Sequence, residues 1–468
     1  MGGAPVSGSI PPQVDVLVVG GGLAGHAAAL AAAEDGAVVL QVEKQPVTGG
    51  STVLSAGLSA FAGTDEQAEA GVQDSVTLLH DDILATGFHK NDPRLVDLYC
   101  SHQAETYRWL KALGVRYGNL HAAAGQSVPR SHPTDTRRML DLLASRAAEL
   151  GVQLRTGVRA QHLVREHGRV VGAVLEASGT AVEVRAGSTV LASGGFARDR
   201  ALLDKFAPQM ALALQAGGAG NVGDGLRMAW QLGADVIDTP FIKGTYGIYP
   251  LPHDGEHGTG IHAIYKGGIA VNVHGKRFVD ESLPYKVVGD ANLAQPDGRS
   301  VQLFDSRVLR ASDAAVPIFD FEGRRDSGIL VEADTVEELA AAMGLDVAAT
   351  AATVAEYNRR IRAGEHDELG RVHLSGGVGE IFPLVEPPFY GHLSGTVVLA
   401  TYCGLVVDRA LRVHDVLGDP IDGLYAAGEI VGGFHGAGYM TGTSIGKAGI
   451  FGRLAGRSAA AAASGVPR

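Results

Sequence analysis

The sequence predicts an α/β protein built on a parallel sheet, with a second, α+β body inserted into it. Three observations predict this. A buried strand, a Gly-rich turn, an Ala-rich helix and a second buried strand follow one another over residues 14–42. At about residue 239 the composition changes, and Pro, Gly, Tyr and His crowd into TPFIKGTYGIYPLPHDGEHGTG. After EPPFY, near 386–390, strand-like runs of the first kind return.

The chain has 468 residues, room for roughly three ordinary domains or two large ones. Its 39 basic and 51 acidic residues give a net charge of −12, which argues against binding nucleic acid through phosphate contacts. Apolar residues make up 46% and charged residues 19%, a globular composition. Glycine, at 65 residues, is about twice its usual share, so backbone must approach something closely in many places. Cys100 and Cys403 are too few for a disulfide framework or a four-thiolate metal site. The run Val16 to Ala33 has the length of a membrane span, but three consecutive glycines and His26 within it favour strand, turn and helix. No signal peptide is visible in MGGAPVSGSIPPQ, so the expectation is a cytoplasmic protein without a membrane span.

In chain order, Val14 to Val19, Leu23 to Asp35 and Ala37 to Val42 read as one βαβ unit. Residues 65–113 and 135–150 carry helical patterning. Short strands are expected at 153–155, 170–176, 181–185 and 189–192, and a helix closes the Gly-rich stretch 204–233. Two helices with a 3.6-residue period follow over 335–362. Strands at 405–407 and 424–426 precede a last helix over about 444–462. The expected units are therefore 14–238, 239–382 and 383–468, the first and third forming one domain.

Gly20-x-Gly22-x-x-Gly25 falls at the first strand-to-helix turn, and Glu43 ends the second strand. The first glycine permits the tight turn, the second admits a pyrophosphate against the backbone, and the third lets helix and sheet press together. The helix N-terminus offers free N–H groups and a positive dipole end to the phosphates. Glu43 suits ribose hydroxyls and disfavours a 2′-phosphate, which leaves FAD or NAD as the dinucleotide.

Five further segments, in order, carry a resemblance. They are EKQPVTGGSTVLSAGLSAFAGT, VLASGGFARD, GNVGDGLRMAWQLGAD, GGIAVNVHGKRFVDE, and IDGLYAAGEIVGGFHGAG leading into GTSIGKAGIFGRLAG. Together they resemble the flavoprotein superfamily of fumarate reductases, flavocytochromes c and 3-ketosteroid 1-dehydrogenases, over about residues 14–460. The resemblance implies FAD, a Rossmann-like FAD-binding domain made of two chain segments, and an inserted α+β capping domain. Carried over by motif, Ala24, Glu43, Ser51, Thr52, Val158, Asp224, Glu429, Ser444 and Ile445 are expected to line the FAD. The same motifs bring Gly20, Gly22, Gly25, Lys44, Gly50, Gly57, Ser193, Gly194 and Gly428 to it. The helix opening at Ser444 would point its N-terminus at the flavin's pyrimidine edge and stabilise negative charge on the reduced ring. Ser51 stands where succinate dehydrogenases attach FAD through a His, so the cofactor is expected to be non-covalent.

The chain departs from the fumarate reductase pattern at three positions. Where that family holds a proton-donating Arg, a carboxylate-clamping Arg and a His, this sequence has Tyr285, Tyr439 and Ala400. A dicarboxylate would meet no matching cations there. The replacement resembles ketosteroid dehydrogenases, in which a Tyr takes the proton alpha to a ketone and a Gly backbone N–H holds the ketone oxygen. Tyr285 and Gly442 occupy those positions, while Tyr439 stands one place later than that family's other Tyr.

Desaturation beside a ketone needs a base at Cα and a hydride acceptor at Cβ. A phenol near pKa 10 is a weak base at neutral pH unless neighbours favour its phenolate; Lys286, Tyr402 and Tyr439 are candidates for this. His435 either touches substrate or braces its turn, and Lys243, Lys286 or His435 would serve a substrate carboxylate. GTSIG matches a nucleophile elbow, but no His follows Ser444 to complete a triad. Gly446-Lys447 lacks the hydroxyl residue of a P-loop. His253, Asp254, Glu256, His257 and His262 read as a solvated loop rather than a metal site.

The sequence thus leads to an FAD-dependent dehydrogenase (desaturase) acting on a small-molecule cyclic ketone. Its electron acceptor would be oxygen, a quinone or a redox protein. The alternative is an enone or enoate reductase using the same site.

Overall fold

The computed structural model describes residues 9–251, 260–375 and 377–465. Gln13–Val19 (β1), Leu23–Glu34 (α1) and Val39–Glu43 (β2) form the expected βαβ unit. β1 and β2 run parallel, with Val16 opposite Val39 and Val19 opposite Val42. Val16 to Val19 and all of β2 are buried, as in strands covered on both faces. The sheet order is Arg412–His414, Pro420–Ala426, Thr180–Leu191, β1, β2, Gln153–Thr156. Pro420–Ala426 joins Thr180–Leu191 in parallel, so the end of the chain completes the sheet that its beginning started.

Two differences from the sequence reading have local causes. The strands expected at 181–185 and 189–192 are one strand, Thr180–Leu191. Gly187 does not turn the chain there; a Cβ on it would lie 2.9 Å from the Ala463 Cβ, so it admits the C-terminal helix. Val158–Glu166 is a strand the pattern hid, because a register shift between Ala160 and His162 breaks its alternation.

α1 is buried along nearly its whole length and packs on the C-terminal helix, Thr443–Ala463. The contact is made without side-chain bulk. A Cβ on Gly452 would lie 2.5 Å from the Ala24 carbonyl oxygen, and one on Gly456 would lie 2.1 Å from that of Ala28. The matched four-residue spacing keeps the small residues on facing sides of two similarly directed helices.

The second body is an antiparallel sheet with the order Ile242–Ile248, Phe389–Thr401, Ser300–Asp305, Ile269–Val271. It has its own core, including Leu303, Phe304, Phe319 and Leu339. The long strand Phe389–Thr401 follows the break expected at 382/383, yet it pairs with both Ile242–Ile248 and Ser300–Asp305. Its first nine residues are buried at all but one position, so no alternation marked it as a strand of this sheet. A third cluster, with Tyr246, Tyr265 and Tyr285 from the second body and Tyr402 and Tyr439 from the first, joins the two.

His26, fully buried on α1, has no hydrogen-bond partner on either ring nitrogen among the described residues. Burial pushes its pKa down to about 4. The unfolded chain takes up a proton below about pH 6.5 that the folded protein refuses, so stability falls as pH drops from there towards 4. Denaturant titrations at pH 7 and pH 5 should differ by about 2 kcal/mol from this group, and His26→Leu should remove that part of the difference.

Candidate active site

A cavity of about 1050 Å³ opens between the two bodies, at the upper end of the size range of ligand sites. One end is built on the βαβ unit. Gly20 has φ +127, and a Cβ there would lie 2.2 Å from the Ala192 carbonyl oxygen. A Cβ on Gly218 would lie 2.7 Å from the Gly50 carbonyl carbon. The walls here are therefore bare backbone. Thr52 caps the entry to α1, its hydroxyl accepting the Leu23 N–H at 3.1 Å. Glu43 accepts the Gly21 N–H at 2.7 Å and the Gln45 N–H at 2.8 Å. These bonds fix the carboxylate at the cavity wall with lone pairs left for a ribose.

Lys44 and Arg159 hold Asp224 at 2.7 and 3.0 Å. Burial raises the Asp224 pKa, and the two cationic hydrogen bonds outweigh it, so the carboxyl sits below its usual range. Further along, Asn221 donates to both oxygens of Glu429 at 3.1 and 3.0 Å, and also to Ser51 Oγ at 3.3 Å. The Thr401 N–H donates to Glu429 at 2.9 Å. Ser193 Oγ, buried in this wall, has no partner among the described residues. Gly22, Ala24, Gly194, Val158 and Gly428 line the same space, as do Ser444 and Ile445 from the C-terminal helix. A Gly-only cradle at a helix N-terminus, an acidic ribose acceptor and an orphaned hydroxyl fit FAD. Gly25 and Gly57 stand behind the cavity. Cβ atoms there would lie 2.0 Å from the Gly20 and 2.2 Å from the Thr134 carbonyl oxygens, so their part is backbone packing.

The other end of the cavity is aromatic. Tyr285, 3% exposed, opens the helix Tyr285–Leu293. Its ring stacks on His262 at 4.3 Å and 18°, and stands 5.0 Å from Tyr265 and 6.3 Å from Tyr439. Tyr402 lies 4.9 Å from His435, and Tyr439 lies 5.5 Å from His435. Tyr285, Tyr402, Tyr439, His435 and Gly442 all line the cavity, as does Ala400. Gly442 caps the C-terminal helix at φ +89, and its carbonyl accepts the Ala60 N–H at 3.2 Å. The hydroxyls of Tyr285, Tyr402 and Thr441 are buried without partners among the described residues. Burial pushes the Tyr285 phenol above its ordinary pKa, and the Thr441 hydroxyl beside it pulls the other way without completing a hydrogen bond.

Several of these residues escaped the sequence reading. Thr441 lies in YMTG between two residues that were singled out, and Asn221 lies in a quoted motif, so each carried a positional signal. His262 belonged to the discounted cluster; the rest of that cluster, residues 253–257, falls outside the described residues. Arg324 reaches the cavity from the second body, 5% exposed, and nothing in its local sequence marked it. Lys286 is not at the cavity wall; it pairs with Asp290 on its own helix. The Lys243 side chain is outside the described set. Among the described residues no group of His, Cys, Asp and Glu is placed to hold a metal, and no helix is long and apolar enough to cross a membrane.

A two-segment dinucleotide domain, a capping sheet and a cavity between them define an FAD-dependent oxidoreductase. Residues 15–445 match the family model described as FAD binding domain (FAD_binding_2), and the chain belongs to that family. It is 32% identical over 454 residues to a probable fumarate reductase, Ifc3, of Shewanella frigidimarina, covering 95% of this chain and 74% of the relative. The open conformation of a flavocytochrome c3 fumarate reductase superposes with a TM-score of 0.79 at 30% identity, covering 96% of this chain and 78% of that one. A 3-ketosteroid-Δ4-(5α)-dehydrogenase from Rhodococcus jostii RHA1 superposes with a TM-score of 0.77 at 28% identity, covering 97% and 98%.

Gly25→Ala would drive a methyl into the Gly20 carbonyl and force α1 off the sheet. The Kd of the variant for FAD should rise at least about tenfold, a loss of about 1.4 kcal/mol, measured by flavin fluorescence titration of the apoprotein.

Proposed function

We propose that this protein is an FAD-dependent dehydrogenase (desaturase) that introduces a C=C bond alpha,beta to the ketone of a cyclic substrate. The substrate is a small ring such as 4-oxocyclohexanecarboxylate, or a 3-ketosteroid. The observation that carries the reading is the Tyr285 phenol in the cavity wall, unpartnered beside the unpartnered Thr441 hydroxyl and near the Gly442 turn. At the three positions where fumarate reductases would hold Arg, Arg and His, Tyr285, Tyr439 and Ala400 face the cavity and offer a dicarboxylate no cation.

Glu43, Ser51, Glu429 and Ser444 in the cavity wall would hold FAD, without a covalent link, and FAD would supply the acceptor for the Cβ hydrogen and its electron pair. Tyr285 takes the Cα proton, with the Thr441 hydroxyl beside it. The Gly442 N–H, at the N-terminus of the C-terminal helix, steadies the charge that gathers on the ketone oxygen. Tyr402, Tyr439 and His435 exclude water and pack the ring. Arg324, rather than Lys286, is the described cation at the cavity wall of the second body that suits a substrate carboxylate. Electrons leave to oxygen, a quinone or a redox protein, and the compartment is the cytoplasm.

The reverse activity, reduction of an enone or enoate on the same site, draws support from the fumarate reductase relative. An anaerobic titration separates the two. Bleaching of the flavin by saturated cyclic ketones and not by succinate supports the desaturase; reoxidation of reduced flavin only by enoates or fumarate supports the reductase. In the first case Tyr285→Phe should lose about 10²–10⁴-fold in turnover while keeping its FAD, measured by stopped-flow reduction. A residual rate above about a tenth would remove Tyr285 from the role of base. Because burial holds the phenol above its ordinary pKa, its basic form grows with pH. The log of kcat/KM should therefore climb with a slope of about one from pH 7 to pH 9, and the climb should vanish in Tyr285→Phe.

A further inference from the structure

Lys447 sits on the C-terminal helix three residues after Ser444, 2% exposed, and forms part of the cavity wall with Ser444 and Ile445. Its Nζ donates to the Val431 carbonyl at 3.1 Å and lies 5.7 Å from the centre of the Phe434 ring. An ammonium has three N–H groups to place, and this is the one hydrogen bond it makes among the described residues. No carboxylate of the described residues reaches ion-pair distance. Glu429 and Asp238 act on the amine through space.

The groups packed around it are few. Glu429, on the Gly428–Ile430 turn, is already held by Asn221 and Thr401. Asp238 accepts the Gly433 N–H at 2.9 Å, with Asp92 within electrostatic reach of it. Tyr99 fills the space beside Gly446 and donates to the Ala60 carbonyl at 2.6 Å. His435 neighbours Phe434 at 4.8 Å. The proposed desaturation uses neither the amine nor Asp238.

We propose that Lys447 is the counter-charge of the reduced cofactor, taking a proton from solvent when FAD receives two electrons and one proton, so that reduction in this protein consumes two protons instead of one. The inference rests on the cofactor's pyrimidine edge lying at the N-terminus of this helix, and it is independent of the substrate. Burial lowers the Lys447 pKa to about 8, so the amine is on the edge of neutrality before any charge arrives. Asp238 is raised to about 6 by burial and is ionised where Lys447 titrates. Negative charge gathering beside the amine favours its charged form. The extra proton therefore enters above about pH 8 and below the higher pKa of the reduced state.

The test needs no substrate, so its failure leaves the desaturase reading standing. The midpoint potential of the bound FAD is measured by dye equilibration from pH 6 to pH 10 on the holoenzyme. Wild-type protein should steepen above about pH 8 by about 30 mV per pH unit, one more proton per two electrons. Lys447→Met should keep one slope throughout and reduce at a lower potential at pH 7. Equal slopes in the two proteins overturn the proposal. If Lys447→Met fails to retain FAD, electrochemical reduction of the wild-type holoenzyme at pH 9 with an indicator dye decides. Uptake of about two protons per FAD supports the assignment, and one overturns it.

Discussion

The close contact between α1 and the C-terminal helix is the constraint on which the site depends. Ala24 and Ala28 face Gly452 and Gly456 so tightly that a single methyl would strike backbone. Ala24 is the second residue of its helix and Gly452 the tenth of its own, so the C-terminal helix overshoots α1 by about 12 Å at 1.5 Å per residue. Two helix N-termini are thereby offered to one elongated cavity at different depths. One suits a pyrophosphate and the other a ring that gains negative charge on reduction. The two helices lie at opposite ends of the sequence, which is why the dinucleotide domain has to be assembled from two chain segments.

The aromatic end of the cavity obeys a different economy of charge. Guanidinium groups would need carboxylates to balance them there, whereas phenols can be buried with a single partner or none. Three hydroxyls left without partners among the described residues make the pocket polar at points and apolar between them. Burial sharpens the contrast, since it raises Tyr285 and Tyr402 and lowers Lys447, pressing each towards its neutral form.

Much of this was legible in the chain. The βαβ unit and a dinucleotide site were readable because close backbone approach demands glycine at fixed spacings, and Gly20, Gly22 and Gly25 carry that demand locally, whereas FAD and the two-segment domain were implied only by the resemblance that five separate motifs carry. The motifs around Tyr285 and Gly442 led to two positions that line the cavity. The Phe389–Thr401 strand was not, because burial on both faces erases the alternation that announces a strand. Thr441 and Arg324 were hidden for another reason. Their significance lies in what the fold brings against them from distant segments, and no spacing along the chain encodes it. Lys286 misled because its neighbour four residues on, Asp290, lies on the same helix face and captures it.

The strand Phe389–Thr401 belongs to both halves of the molecule. Its early residues pair with Ser300–Asp305 in the capping sheet, and its last residue donates a backbone N–H to Glu429 at 2.9 Å in the FAD wall. Between them, Val397, Leu399 and Ala400 line the cavity. The strand thus begins in the cap and ends on a half-buried carboxylate. One continuous backbone fixes the edge of the cap and the seat of a carboxylate in the cofactor wall, so the two halves share a single piece of framework.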